Sequence, residues 1–288
     1  MLTIFTPAYN RAKTLPRLFA SLCNQSNYDF EWLIIDDGSQ DETLQVVQGF
    51  LAEKRFPVRY YKKENGGKHT AYNTALELAQ GQWFLCVDSD DLLADHAVEM
   101  IQKTAEKLAE HQGIIAYKQD FSGKCLSGEF PTELDTVGIN ELVLNYGCGG
   151  EFTLIFPTSL AKKYPFPVFD GERFVTESVI YDRLDPVCKM RLLRETVTVC
   201  EYQADGYSQN INGIIARNPK GYSVYFMQRI DVYPSLKQKM IAAGKYWSFR
   251  WMGGKPPVRY TGKHRTLTSL CLPLGLIFRV YYKFVRGF

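Results

Sequence analysis

Three polar clusters hold the residues of this 288-residue chain that could do chemistry. Asp88-Ser89-Asp90-Asp91 sets two carboxylates one residue apart, straight after an apolar run. Hard divalent cations take one or two carboxylates and fill the rest of their shell with water and substrate phosphates, so an Asp-x-Asp beside a ligand crevice suits such a cation. Aspartates in loops also form solvated turns and helix caps, and Asp91 can be read as a cap for the turn that follows. Asp36-Asp37-Gly38-Ser39 is the second cluster. Its carboxylates could hydrogen-bond a base or a ribose, or cap the helix after Gly38. The third cluster is Thr6-Pro7-Ala8-Tyr9-Asn10.

The surrounding elements explain why these clusters belong together. Residues 2–6, 32–35, 58–61 and 83–87 read as short buried strands. Helical spacing follows each: Leu15, Leu18, Phe19 and Leu22; then Leu44, Val47 and Leu51; then residues 70–79; then 97–110 with Ile101, Ala105 and Leu108 aligned. Ser39 with Glu42 reads as a capping box for the second helix, and Asn65-Gly66-Gly67 as a turn. Alternating strands and helices imply an α/β fold with a mostly parallel sheet and helices on both faces. Ligands of such sheets bind beyond the carboxyl ends of the strands, where all three clusters sit. Residues 112–150 show weak periodicity. Residues 174–185 read as a loop entering a helix with Val179, Ile180 and Leu184 inward, and 196–202 alternate like a strand. No G-x-G-x-x-G follows the first strand, and no Walker A or H-E-x-x-H is present.

The ordered set Thr6-Pro7-Ala8-Tyr9-Asn10-Arg11, Ile34-Ile35-Asp36-Asp37-Gly38-Ser39, Asn65-Gly66-Gly67-Lys68 through Asn73, and Val87-Asp88-Ser89-Asp90-Asp91 resembles family 2 glycosyltransferases, enzymes of the GT-A fold. Weaker likeness continues through Tyr164-Pro165-Phe166-Pro167, Gly171-Glu172-Arg173-Phe174, Glu177 and Asp205-Gly206-Tyr207, and fades after about residue 215. The resemblance implies inverting, metal-dependent transfer from a nucleoside diphosphate sugar, usually a UDP-sugar, to a glycan or lipid-linked acceptor, as in bacterial surface polysaccharide assembly. It implies that Thr6, Pro7 and Tyr9 line the base, that Asp37 contacts the uracil with Asp36 beside it, and that Lys68 brings positive charge near the diphosphate unless it is a solvated loop lysine. Asn73 and Ser89 fall within the same nucleotide-sugar motifs. Asp88 and Asp90 match the pair that binds ribose and Mn²⁺ or Mg²⁺, with Asp90 the direct ligand. Tyr72 stands where many relatives carry Arg. The family's acidic pair before a helix reads here Glu177-Ser178, which makes Glu177 the expected base and Asp182 the second choice. Glu177 could instead cap the helix or pair with Arg173. Glu172 matches a position at the mouth of the site, or is a surface loop residue. Arg250-Trp251 lacks the Gln of the processive synthases' motif, since Trp247 stands in its place, and implies single addition. A nucleotide-binding pseudoenzyme or binding module of the same fold, prompted by Ser178, and a nucleotidyltransferase remain as other readings.

Charge divides the chain. Residues 232–288 hold 11 Lys or Arg and no acid, whereas the preceding 231 residues hold all 31 acidic side chains and the other 23 basic ones. The expected division is a GT-A domain over 1–215, with a nucleotide half at 1–95 and an acceptor half at 96–215, and a basic aromatic extension over 216–288. A helix starting at Pro273 would align Leu276, Ile277, Val280, Phe284 and Phe288 on one side and Arg279, Lys283 and Arg286 on another. Such a helix either lies on an anionic membrane or packs on the body. No nucleic-acid module is visible. At 45% hydrophobic and 23% charged residues the composition is that of a globular protein. Seven scattered cysteines without a CxxC pair argue against a zinc site and for a reducing compartment. No signal peptide or spanning segment is visible, so a cytoplasmic protein peripheral to the inner face of the membrane is expected.

Overall fold

The computed structural model describes residues 1–200 and 211–286. Four apolar runs form β1 (Leu2–Ala8), β2 (Phe30–Asp36), β3 (Val58–Lys62) and β4 (Trp83–Cys86), linked by α1 (Leu15–Cys23), α2 (Thr43–Glu53) and α3 (Lys68–Leu78). β1 pairs in parallel with β2 on one side and with β4 on the other, and β3 extends the sheet beyond β2. β2 is buried along its whole length, so its middle, Trp32–Ile35, reads as an unbroken apolar run and not as an alternation. Phe19 of α1 stacks on Phe50 of α2 at 4.3 Å and on Trp32 of β2 at 6.0 Å, closing the core on one face. Tyr72 of α3 meets Phe5 and Phe84 edge-on at 5.7 and 5.2 Å. The chain builds outward from β1 to β3 and then returns to the opposite side of β1. That reversal creates a switch point between β1 and β4, beyond whose carboxyl ends a crevice must open.

The sheet continues through β5 (Leu92–Leu93), β6 (Gln112–Asp120), β7 (Thr136–Val137), β8 (Phe152–Pro157) and β9 (Lys189–Cys200), with α4 (Ala97–Ala105), α5 (Ile139–Asn145) and α6 (Thr158–Ala161). Its order is β3-β2-β1-β4-β8-β6-β9-β5, with β7 on β9. β8 runs antiparallel to β4 and β6, while β6 and β9 are parallel. The result is a mixed α/β sheet flanked by helices, parallel throughout its first half. Three expectations need correction. Of Leu44, Val47 and Leu51, expected as the apolar face of the second helix, only Val47 is buried, and Thr43 and Phe50 share the core side of α2 with it. The helix expected over 97–110 ends at Ala105, because the chain must turn into β6, with His111 in the left-handed region. Ser39 does not cap α2: its hydroxyl accepts from the Asn10 amide at 2.9 Å, and α2 starts four residues later.

The chain forms two units, one from residues 1–165 and 184–203, the other from 166–183 and 204–288. This division cuts the chain elsewhere than at residue 215, because residues 166–183 cluster with the C-terminal helices. The second unit contains α7 (Ser178–Leu184, whose last residue falls in the first unit), α8 (Ile211–Arg217), α9 (Pro219–Val232), α10 (Leu236–Met252), α11 (Arg265–Leu270) and α12 (Leu272–Val285). Phe226 stacks on Phe249 at 5.5 Å, and Phe249 meets Tyr282 at 5.0 Å. Gly244 of α10 and Gly275 of α12 let the two helices approach closely. A Cβ at Gly275 would lie 2.5 Å from that of Trp247. Asp205-Gly206-Tyr207 lies outside the described residues.

Candidate active site

The first unit assembles its site from the ends of β1, β2 and β4. Register brings Ala8 beside Asp36 and Phe5 beside Cys86. Asp36 is fully buried; it accepts from the Ser39 amide at 2.7 Å and from the Tyr60 hydroxyl. It therefore shapes the turn after β2. Asp37 clamps the Gly-rich turn, accepting from the Gly66 and Gly67 amides at 2.9 and 2.7 Å and from Lys63 Nζ at 2.7 Å. Gly38 and Gly67 have φ of 88° and 91°, the left-handed region that glycine enters without strain. Thr6 departs from expectation: strand alternation turns it into the core, where its hydroxyl accepts from Trp32 Nε1 at 3.0 Å. Tyr9 is 46% exposed, and Pro7 is half-buried. Tyr72 is a core residue and offers no cation there, while Asn73 beside it is half-buried.

Lys68, the first residue of α3, pairs with Asp88 Oδ1 at 2.6 Å. Asp37, the Gly66-Gly67 turn, Lys68 and Asp88 thus form one bonded chain from β2 to β4. Asp88 and Asp90 are half-buried, whereas Ser89 is buried rather than presented to the crevice. Burial opposes the charged form of Asp88, but the ammonium groups of Lys68 and Lys118 outweigh it and hold the carboxyl below its ordinary range. Asp91 is no simple cap. It is buried and pairs with Lys118 Nζ at 2.7 Å, with Glu151 3.5 Å from the same ammonium. Burial pushes its carboxyl up to about 7; Lys118 opposes the rise, and Asp88 and Asp90 add to it. Lys118 follows the buried Gly113–Ala116 of β6, and a lysine there needs a carboxylate. Among the described residues no three His, Cys, Asp or Glu side chains are grouped to hold a metal. Two hard carboxylates with an open shell fit Mg²⁺ or Mn²⁺ that shares its remaining positions with phosphate oxygens and water.

The acids of the second unit divide by burial. Glu177, half-buried, immediately precedes α7 and accepts from the Tyr181 hydroxyl at 3.3 Å. Asp182 is 1% exposed and pairs with Arg229 at 2.6 Å, which ties it into the interior instead of offering it as a base. Glu172 is buried. Its carboxylate takes the Lys220 and Gly221 amides at 2.7 and 2.8 Å, capping α9, and burial raises its pKa. Arg250 donates to the Val258 carbonyl at 3.0 Å and lies over the Trp247 ring, a packing role.

Residues 3–152 match the family model for glycosyl transferase family 2. Chondroitin synthase of Escherichia coli is 40% identical over 100 residues, 35% of this chain and 14% of that protein. Poly(ribitol-phosphate) beta-N-acetylglucosaminyltransferase TarS of Staphylococcus aureus is 32% identical over 111 residues, 38% of this chain and 19% of that protein. The chain thus matches only a small part of each of these longer relatives. The fold is similar to that of S. aureus TarS 1–349 in complex with UDP-GlcNAc, with a TM-score of 0.63 and 17% identity over 98% of this chain and 81% of that one. It is also similar to the mannosyltransferase PcManGT of Pyrobaculum calidifontis in complex with GDP-Man and Mn²⁺, with a TM-score of 0.55 and 17% identity over 97% of this chain and 78% of that one. With the family model matched over more than half its length, including all three acidic and Gly-rich motifs of the crevice, this chain belongs to glycosyl transferase family 2.

Proposed function

We propose that the protein transfers a sugar from a UDP-sugar to a hydroxyl of a glycan or lipid-linked acceptor in bacterial surface polysaccharide synthesis, one sugar at a time and with inversion at the anomeric carbon. The observation that carries this reading is the bonded chain Asp37, Gly67, Lys68, Asp88 at the β1–β4 switch point, with Asp90 two residues on and exposed Tyr9 at the end of β1. Relatives named for glycan synthesis and a similarly folded protein in complex with UDP-GlcNAc support it. Tyr9, Pro7 and Asp37 border the place for the base. Lys68, held on Asp88, can offer its charge to the diphosphate. Asp90 and Asp88 would hold Mn²⁺ or Mg²⁺, which when bound supplies Lewis-acid stabilisation to the leaving diphosphate. Glu177 takes the proton of the acceptor hydroxyl as that oxygen attacks the face opposite the diphosphate. The Tyr181 hydroxyl holds the Glu177 carboxylate in one orientation.

Thermal melting with UDP and Mn²⁺, followed by turnover of a UDP-sugar panel, tests this. UDP with Mn²⁺ should raise the melting temperature by mass action. Asp90→Asn should remove the metal-dependent part while leaving the unliganded melting temperature in place. Glu177→Gln should keep UDP binding and lower turnover by about a hundredfold or more. Absence of stabilisation by UDP, or unchanged turnover in Glu177→Gln, would overturn the corresponding assignment.

A further inference from the structure

We propose that the solvent face of α12, extended by Leu270 of α11, docks on an anionic lipid surface. α12 already has a packing side. Leu274 and Phe278 close over Gly244 of α10, Gly275 lies against Trp247, and Tyr282 packs on Phe249. What remains outside is a continuous ridge. Leu276, Ile277, Val280 and Phe284 recur at helical spacing within about 100° of arc. Ile277 and Phe284 are 64% and 75% exposed, and Leu270 is 74% exposed. Single apolar residues on a surface need no explanation, but a contiguous ridge does.

Charge identifies the occupant. Arg279, Lys283 and Arg286 stand in one row along the edge of the ridge, at i, i+4 and i+7. Their long stems can lie on apolar surface while the cationic ends reach headgroup phosphates. Lys283 Nζ already lies over the Phe284 ring, 5.5 Å from its centroid. No acidic side chain occurs anywhere from residue 232 to 288, so no Asp or Glu of this segment offsets that row. A second copy bound through the same face would set two basic rows together. A nucleic acid would use the charge and leave the ridge unexplained. An anionic bilayer interface uses both. No described helix is long and apolar enough to cross a membrane.

Flotation of the full chain with phosphatidylcholine vesicles, alone or with about one-quarter phosphatidylglycerol, tests the proposal. The protein should float with the anionic vesicles, stay behind with the neutral ones, and be released at about 0.5 M NaCl. The double variant Ile277→Ser/Phe284→Ser should reduce recovery by about fivefold or more at an unchanged melting temperature, since both side chains are exposed. Arg279→Gln/Lys283→Gln/Arg286→Gln should bring recovery down to that with neutral vesicles, and decides the matter if the first variant misfolds. Failure of the wild-type chain to float would overturn the proposal, as would equal recovery of wild type and the charge variant. A solution dimer that Ile277→Ser/Phe284→Ser dissolves, without flotation of the parent, would assign the face to self-association instead.

Discussion

Asp36 and Asp37 are adjacent and identical in chemistry, yet Asp36 spends its carboxylate on the Ser39 amide and Tyr60, and Asp37 on the Gly66-Gly67 turn. Asp36→Ala should therefore lower stability by about 1–3 kcal/mol in urea unfolding, because it orphans a buried amide and a phenol. His69, buried in the first turn of α3, gives the protein an acid-sensitive element. Burial, with Lys63 adding and Asp37 opposing, holds its imidazole at about 4 against an ordinary 6.5. The unfolded chain then binds the proton first. Stability from this group is complete above pH 6.5 and declines as the pH falls to about 4, by roughly 3 kcal/mol in all. Urea midpoints from pH 7 to 4 should fall less steeply in His69→Gln than in the wild type. At this scale the strand-end acids were legible because each follows an apolar run. The roles of Lys118, Glu172 and Asp182 were not, since each is set by a partner 27 to 48 residues away. Local spacing carries no trace of such pairs.

The strands β1 to β4 and the helices α1 to α3 were legible to within a few residues because apolar runs alternate with helical spacings. The buried face of α2 was not, since Thr43 and Phe50 join Val47 in the core while Leu44 and Leu51 stay exposed. β6 was hidden. Its buried run Gly113–Ala116 passes into Tyr117, Lys118 and Gln119, whose polar ends meet the Phe130 amide, Asp91 and Thr196 and follow no regular face. β7 has two residues and no period at all. The crossing of α10 and α12 offers a test at the same scale. Gly275→Val gains helix propensity of less than about 1 kcal/mol. The added Cβ meets Trp247 Cβ at 2.5 Å, next to backbone that cannot swing away. Overpacking of this kind costs about 1–3 kcal/mol, so the variant should melt lower. Trypsin should cut faster at Arg279 and Lys283 of the loosened α12.

At the scale of the whole molecule, the opposed charges of the two chain segments and the order of the motifs were legible. The discontinuous second unit was not, because residues 166–183 join it only through contacts with helices that come later in the chain. A chain cut after residue 215, where the motif likeness ends, should consequently melt well below the full chain or fail to express in soluble form. It keeps Asp182 but loses Arg229, and breaking a buried pair by removing one partner costs about 3–5 kcal/mol. It also leaves Glu172 without the Lys220 and Gly221 amides. The same discontinuity governs the order of events on the ribosome. Every described strand of the sheet is complete once Cys200 has been made, while Asp182 must wait until Arg229 follows 47 residues behind it. During that interval the crevice of β1, β2 and β4 can already be formed while the Glu177 segment is still unanchored. A nascent chain that pauses between these points would present a complete first-unit sheet while the second unit is still unfinished.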